Sequence, residues 1–109
     1  MEKHIDLTAV IEGLRYDTQR AEIVACRENG YMPSDFSYVY EELYHTKNGR
    51  WFIAGEGGAF SKYAESFGNT TGGSKKIIPL SADEAREWLE EQQGIDALEK
   101  YFSSAIEEA

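Results

Sequence analysis

The chain has 109 residues, of which 41% are hydrophobic and 13% aromatic, and its formal net charge at pH 7 is −9. This length predicts one domain over residues 1–109, with enough apolar residues for a hydrophobic core. Its single cysteine, Cys26, excludes a disulfide framework and a cysteine-based zinc site within one chain.

The N-terminal residues predict a β-hairpin. Polar and apolar residues alternate along residues 4–16, and Glu12-Gly13 can form a two-residue turn. That turn pairs Ile11 with Leu14. The first residues lack the long apolar run of a signal peptide, and no segment approaches the ~20 apolar residues of a membrane helix. We therefore expect a cytoplasmic protein that does not bind a membrane.

A helix is predicted next. Asp17 or Thr18 can cap it, it runs to about Glu28, and Asn29-Gly30 closes it. Cys26 lies among small apolar residues of this segment. We therefore expect a buried, unreactive thiol rather than a nucleophile.

The clearest signal is a central hairpin over residues 38–58. Two apolar and aromatic runs are separated by Asn48-Gly49, the pair that best suits the positive φ angles of a type I′ turn. A two-residue turn pairs His45 with Phe52. Both faces of this hairpin are then largely apolar, so we expect it to lie at the centre of the sheet with cover on both sides.

Two segments follow the central hairpin. Apolar residues at i, i+3, i+4 and i+7 within residues 60–67 predict a short helix, with Phe60 and Tyr63 on one face. Residues 68–74, with the sequence GNTTGGS, predict a flexible surface loop or a lid.

The C-terminal third predicts a strand and two helices. Residues 75–80 form the strand, at an edge because Pro79 cannot donate to a ladder. Ser81 and Glu84 form a capping box that begins an acidic helix. A last helix follows over residues 96–104.

The predicted fold class is α+β. The element order is β-β-α-β-β-α-β-α-α, with a largely antiparallel sheet of about five strands, made of two β-hairpins plus an edge strand. The helices pack on that sheet.

A glycine-rich loop offers one candidate ligand site. It follows a strand and precedes the helix predicted for residues 60–67, where phosphate-binding loops are found. The loop lacks the GxGxxG spacing and the Walker lysine, so a tight strand-to-helix corner is the favoured interpretation. The candidate ligand residues are Gly55, Glu56, Gly57, Gly58 and His45.

Catalytic chemistry has weak support. His45 near the acids Glu41, Glu42 and Glu56 could act in general acid–base catalysis, but a lone histidine on an apolar face is usually a packed residue. Two histidines without paired spacing do not predict a metal site, and no motif predicts a cofactor. The sequence favours a binding protein over an enzyme.

The negative charge is concentrated at the C-terminal end. Residues 81–109 contain nine acidic residues against two basic ones, a net charge of −7. Such a surface disfavours direct binding to nucleic acid and favours binding to a basic protein surface. The candidate partner-binding acids are Glu84, Glu87, Glu90, Glu91, Asp96 and Glu99.

Aromatic residues offer candidate anchors for the same partner. Tyrosines are frequent between residues 31 and 63, and tyrosine and tryptophan are enriched at interfaces. The candidate anchors are Tyr40, Tyr44 and Trp51. The alternative is that these rings form core walls.

Five segments of the chain carry a resemblance to known proteins: RYDT, SDF, LYHTKNGRWFIAGEGG, KYAES and IIPLSADEAREWLEE. In these segments, and over about residues 14–102, the chain resembles a group of small acidic proteins encoded on phages and conjugative elements of Gram-positive gut bacteria. It implies genetic context and no catalytic residues, since mobile elements carry many small acidic inhibitors of host defence.

These observations lead to one main hypothesis and two rivals. The first is a non-enzymatic inhibitor that binds a host defence protein or nuclease through the acidic helices, as anti-CRISPR proteins do. The second is a small-ligand-binding or enzymatic module that uses the glycine loop, with residues 68–74 as its lid. The third is a subunit that forms a homodimer through the two-sided hairpin.

Overall fold

The computed structural model of the protein describes residues 4–67 and 70–109. Eight strands and two α-helices form in these residues, followed by a short 3₁₀ turn at Ser103–Ala105. The strands are β1 (Thr8–Ile11), β2 (Leu14–Asp17), β3 (Glu22–Glu28), β4 (Val39–His45), β5 (Trp51–Gly57), β6 (Glu65–Phe67), β7 (Thr70–Gly72) and β8 (Ser74–Leu80). The helices are α1 (Ala82–Glu91) and α2 (Ile95–Phe102).

The fold is α+β with antiparallel sheets, as predicted, but the main sheet has four strands rather than about five. Its strand order is β3-β4-β5-β8, and all its pairs are antiparallel. The N-terminal hairpin forms its own two-stranded sheet, and β6 pairs with β7 in another. The predicted order of elements is wrong because two predicted helices are absent from the described residues.

The core has two layers, one on each face of the main sheet. The helices cover one face, where Leu43, Ile53 and Trp88 belong to one buried cluster. The N-terminal hairpin covers the other face, where Tyr16 and Phe52 belong to a second cluster. The prediction that the central hairpin lies inside the sheet with cover on both faces is confirmed.

The predicted register of the central hairpin is wrong by one residue. Thr46 donates to the carbonyl of Arg50 at 2.8 Å, and Gly49 donates to the carbonyl of Thr46 at 3.0 Å. Only Gly49 of the Asn-Gly pair has a positive φ, 83°. The loop therefore has three residues, as in hairpins with a glycine bulge, and His45 pairs with Trp51. A shift of one residue exchanges the two faces of β5.

The predicted helix over residues 18–28 is a strand, β3, at one edge of the main sheet. Its ladder to β4 has an irregularity between Ile23 and Ala25. As a strand, this segment pairs with backbone groups of β4 that would otherwise lack partners, and this tertiary pairing outweighs the local capping signals. Because β3 is an edge strand, Cys26 is exposed, and the prediction of a buried thiol is wrong.

The predicted helix at residues 60–67 is also absent. Tyr63 is completely buried whereas 77% of Phe60 is exposed, although helical spacing would place both on one face. Two turns replace the helix, with Ser61 donating to Gly58 and Ala64 donating to Ser61 at 3.0 Å each. The proposed loop at residues 68–74 is partly strand, since β7 and the start of β8 lie there, and residues 68 and 69 lie outside the described residues.

Several local predictions are confirmed. Glu12 and Gly13 both have positive φ angles, and Ile11 pairs with Leu14. Strand β8 lies at an edge of the sheet. Ser81 and Glu84 form the capping box of α1. No helix in the described part of the chain has the length and apolar character needed to cross a membrane.

The capping box predicts a measurable contribution to stability. Ser81 accepts a hydrogen bond from the Glu84 amide at 3.1 Å, and Glu84 accepts one from the Ser81 amide at 2.8 Å. We expect Ser81→Ala to lower the free energy of unfolding by about 1 kcal/mol, measured by urea denaturation. The control is Ser104→Ala, an exposed position outside both α-helices, which should leave the midpoint unchanged.

Candidate functional site

Two adjacent glutamates lie buried in the central strand β4. The exposed fractions of Glu41 and Glu42 are both 0%. Because side chains alternate along a strand, Glu41 faces the helices and Glu42 faces the N-terminal hairpin. The sequence shows both acids in the central hairpin, but their burial was not predicted from it.

Glu41 accepts hydrogen bonds from four donors. Arg27 Nε lies 2.8 Å and Trp88 Nε1 3.2 Å from Oε1. Tyr63 OH lies 2.5 Å and Lys62 Nζ 2.6 Å from Oε2. The donors come from β3, from α1 and from the segment before β6, so one carboxylate joins three parts of the fold.

The charge state of Glu41 follows from these donors. Burial raises the pKa of the Glu41 carboxyl, but the hydrogen bonds from Lys62 and the other donors outweigh this effect and lower it to about 2. Burial and the hydrogen bond to Glu41 raise the pKa of Tyr63 above its usual value. An ionised carboxylate with such a low pKa is a poor general base, and its acceptor sites are already occupied. The role of Glu41 is therefore structural, and its carboxylate is not suited to proton transfer.

The network around Glu41 continues to the protein surface. Arg27 Nη1 lies 3.3 Å from a carboxylate oxygen of Glu91, on α1. The Arg27 guanidinium also lies over the Trp88 ring, 5.0 Å from its centroid. These contacts fix the orientation of α1 on the sheet, and with it the position of the acidic side chains that α1 carries.

The glycines of β5 make this network possible. Gly55 pairs with Glu41 across the sheet, and a Cβ atom at Gly55 would overlap the ring of Tyr63. The missing side chain leaves the space in which that ring lies, so its hydroxyl reaches Glu41. Gly55 and Gly57 thus belong to a strand, and the prediction that they form a corner before a helix is wrong.

Glu42 has a matching role on the other face of the sheet. It accepts hydrogen bonds from the Ile5 amide at 2.9 Å, from Tyr40 OH at 2.8 Å and from Tyr44 OH at 3.0 Å. His4 Nδ1 lies 3.5 Å from the same carboxylate. Burial and the hydrogen bonds to Glu42 raise the pKa values of both tyrosines. These contacts attach the N-terminal segment to the sheet.

The three aromatic residues predicted as anchors are not on the surface. Tyr40, Tyr44 and Trp51 have exposed fractions of 6%, 3% and 5%. The tyrosine hydroxyls donate hydrogen bonds to Glu42, and the Trp51 ring stacks on the Phe102 ring with centroids 5.2 Å apart. The expectation that they are exposed anchors is therefore wrong, because both faces of the central hairpin are covered by the chain itself. The same cover lies over both faces of the hairpin through which a homodimer was predicted.

The predicted ligand site is not assembled. His45 lies at the end of β4 opposite Trp51, whereas Gly57 pairs with Val39 at the other end of the same ladder. Six residues of strand, ~20 Å, separate these ends. The His45 ring packs against Trp51 and Tyr101, with centroids 4.4 and 4.9 Å away. Within residues 4–67 and 70–109, no group of three or more potential metal ligands is found.

The acidic residues predicted to bind a partner all lie at the surface. All six are exposed and lie within α1 and α2: Glu84, Glu87, Glu90, Glu91, Asp96 and Glu99. The two basic residues of this region already have acidic partners. Arg86 lies 3.4 Å from Glu90, and Lys100 lies 3.0 Å from Glu22. The acids therefore outnumber the bases on this surface, which we call the acidic helical surface.

A cavity of about 510 Å³ lies beside the C-terminal end of α1. Its lining includes Arg27, Asn29, Glu41, Lys62 and Gln92. Arg27 and Lys62 are engaged with Glu41, so this cavity has no spare buried charge that would select a ligand.

No protein-family model, curated protein or solved structure shows significant similarity to the chain.

Removing the hydrogen bond from Tyr63 to Glu41 should destabilise the protein. We expect Tyr63→Phe to lower the free energy of unfolding by about 1.5–3 kcal/mol, the range for a hydrogen bond to a charged group. Urea denaturation measures this change. Tyr31→Phe is the matched control, since 52% of Tyr31 is exposed. Equal stability of the two variants would contradict the role given to Glu41.

The low pKa of Glu41 predicts a dependence of stability on pH. Its folded pKa of about 2 lies below the unfolded value of 4.5, so its contribution is complete above pH 4.5 and is lost as the pH falls towards 2. We expect the stability difference between the wild type and Glu41→Gln to shrink over this interval. Denaturation midpoints at several pH values measure it, and a constant difference would contradict the prediction.

Proposed function

We propose that the chain is a non-enzymatic inhibitor from a mobile genetic element that binds a host defence protein or nuclease, as anti-CRISPR proteins do. It acts in the cytoplasm of the bacterial host and engages its partner through the acidic helical surface. The observation that carries the proposal is the exposure of six acidic side chains on one helical layer whose two bases are already paired.

The charge of this surface defines the chemistry of the partner. A cluster of carboxylates attracts a basic surface over distances of about the Debye length, ~8 Å at physiological salt. Nuclease complexes have such basic surfaces where they hold the phosphates of nucleic acid. An acidic protein that occupies such a channel competes with the nucleic acid without binding nucleic acid itself.

The rigidity of α1 favours this role. The capping box fixes its first turn, and Trp88 and Glu91 join it to the Glu41 network. A surface that is already ordered loses little conformational entropy when it binds. The acids are therefore presented in a fixed pattern rather than on a flexible tail.

A binding role is also favoured over catalysis by the buried groups. The Glu41 carboxylate is saturated with donors, and His45 is packed between rings away from the glycines of β5. The alternative of a small-ligand or enzymatic module at Gly55, Glu56, Gly57 and Gly58 has weaker support: a small cavity of about 220 Å³ lies at Glu56 and Gly57, but His45 lies at the other end of the strand pair.

The proposal predicts an effect on host defence. The chain is expressed in a set of bacterial hosts that each carry one defence system, and the efficiency of phage plating is measured. We expect expression to restore plating on a host whose defence uses a nuclease complex. The tagged chain should co-purify stoichiometrically with that complex at low salt and be released at high salt.

Charge reversal locates the binding surface. We expect Glu87→Lys with Glu99→Lys to weaken binding to the captured complex by about tenfold or more at low salt. The matched control reverses Glu12 and Glu65, which are exposed outside the helices and give the same net charge. If both variants bind equally weakly, net charge alone explains the effect. If the Glu87→Lys, Glu99→Lys variant keeps the wild-type affinity, the role of the helices is contradicted. If no defence system in the set is inhibited, the proposed function fails.

A further inference from the structure

Four large apolar side chains are exposed together on two neighbouring loops. Tyr31, Met32 and Phe36 lie between β3 and β4, and Phe60 lies between β5 and β6. Their exposed fractions are 52%, 71%, 61% and 77%. With side chains of this size, the exposed area summed over the four residues is about 500 Å². We call these four residues the aromatic patch. A patch of this size on a small protein is often functional.

The two loops are joined by specific backbone contacts. The Phe60 amide donates to the carbonyl of Phe36 at 2.7 Å, and the Gly58 amide donates to the carbonyl of Tyr38 at 2.9 Å. The rings of Phe36 and Phe60 meet edge to face with centroids 5.2 Å apart. A Cβ atom at Gly58 would overlap the backbone of Asp35 and Phe36. The chain therefore uses a glycine to hold two exposed aromatic rings together.

The 510 Å³ cavity connects the end of α1 to the bases of both loops. Gln92, directly after α1, lines this cavity together with Asn29 and Lys62, which lie two residues from Tyr31 and from Phe60 in the chain. Asn29 fastens the first loop, since its Nδ2 donates to the Ser37 carbonyl at 2.7 Å and its Oδ1 accepts from the Val39 amide at 3.1 Å. The two loops that carry the aromatic patch and the C-terminal end of α1 thus meet at one cavity.

We propose that the aromatic patch is the apolar centre of the partner-binding surface and that the acidic helical surface is its charged rim. The occupant is a protein whose basic surface surrounds an apolar pocket that receives Phe36 and Phe60. This inference rests on the proposed function and replaces the buried aromatics Tyr40, Tyr44 and Trp51 as anchors.

Area and charge select this occupant. A standard protein interface buries ~800 Å² on each partner, somewhat more than half of it apolar, which agrees with a patch of about 500 Å². A second copy of this chain, with a net charge of −9, would be repelled, and so would an anionic membrane. A basic protein surface is attracted.

The test uses the full chain, labelled with ¹⁵N, and two designed helical peptides as probes. The first peptide has one face of lysines and one of leucine and tryptophan, and the second has serines in place of the apolar residues. We expect the first peptide to shift the amide signals of residues 31–36 and 58–61 together with those of α1. The second should shift only the helices and bind at least roughly tenfold more weakly.

Variants assign the binding to the aromatic patch. Phe36→Ser with Phe60→Ser should weaken binding of the first peptide by roughly 30-fold, as for hot-spot residues, and leave the second unaffected. The control is Val10→Ser, an apolar residue of the N-terminal hairpin that is 66% exposed. Thermal midpoints equal to that of the wild type confirm that each variant is folded, as expected for exposed positions.

The outcomes separate the two proposals. If both peptides bind the helices equally and the phenylalanine variant binds like the wild type, the aromatic patch is not an anchor and the acidic helical surface still stands. If neither peptide binds, both proposals fail. Two further results would overturn the inference by assigning the patch to a different occupant. One is self-association of the wild type in sedimentation that the phenylalanine variant abolishes. The other is binding of the wild type to phosphatidylglycerol vesicles that the same variant abolishes.

Discussion

The burial of two adjacent carboxylates in one strand is the constraint on which the rest of this structure depends. Moving a carboxylate out of water costs several kcal/mol unless it is paired and hydrogen-bonded. Glu41 therefore needs donors from β3, from α1 and from the segment before β6, and it receives four. Glu42 receives one hydrogen bond from the Ile5 amide of the opposite layer and two from tyrosine hydroxyls of β4 itself. The two layers around the main sheet are thus each tied to the same strand.

This constraint explains residues that otherwise look functional. The glycines of β5 resemble a phosphate-binding loop, yet Gly55 is required because the Tyr63 ring occupies the space of its side chain. Tyr40 and Tyr44 resemble interface residues, yet their hydroxyls satisfy Glu42. A buried ion pair is weak evidence for stability compared with an apolar core, but it does select one arrangement of its donors. The network thereby determines where α1 lies and which of its acids face outward.

The surface that remains has two parts with different chemistry. The acids of the helical layer supply long-range attraction and salt dependence, whereas Phe36 and Phe60 supply apolar area at short range. Interfaces commonly combine an apolar centre with a polar rim. Both parts are held by a rigid scaffold, in which an edge-to-face ring pair and a glycine contact fix the loops and a capping box fixes the helix. The proposed partner chemistry follows from this combination.

The sequence by itself determined the features that depend on neighbouring residues. Glu12-Gly13 specifies its turn, Pro79 marks an edge strand, Ser81 and Glu84 specify the start of α1, and the position of the acids follows from helical spacing. The α+β class and the central place of the β4–β5 hairpin also followed from pattern.

Only the tertiary structure decided the remaining features, because they depend on contacts between residues distant in the chain. A three-residue loop in place of a two-residue one changed the register, and pairing with β4 made residues 22–28 a strand despite helical end signals. The sequence alone would place Glu41 at the surface, and only the fold brings Arg27, Lys62, Tyr63 and Trp88 around it from distant positions. No local rule predicts the burial of a charge, because its cost is offset only by donors that the whole fold brings together.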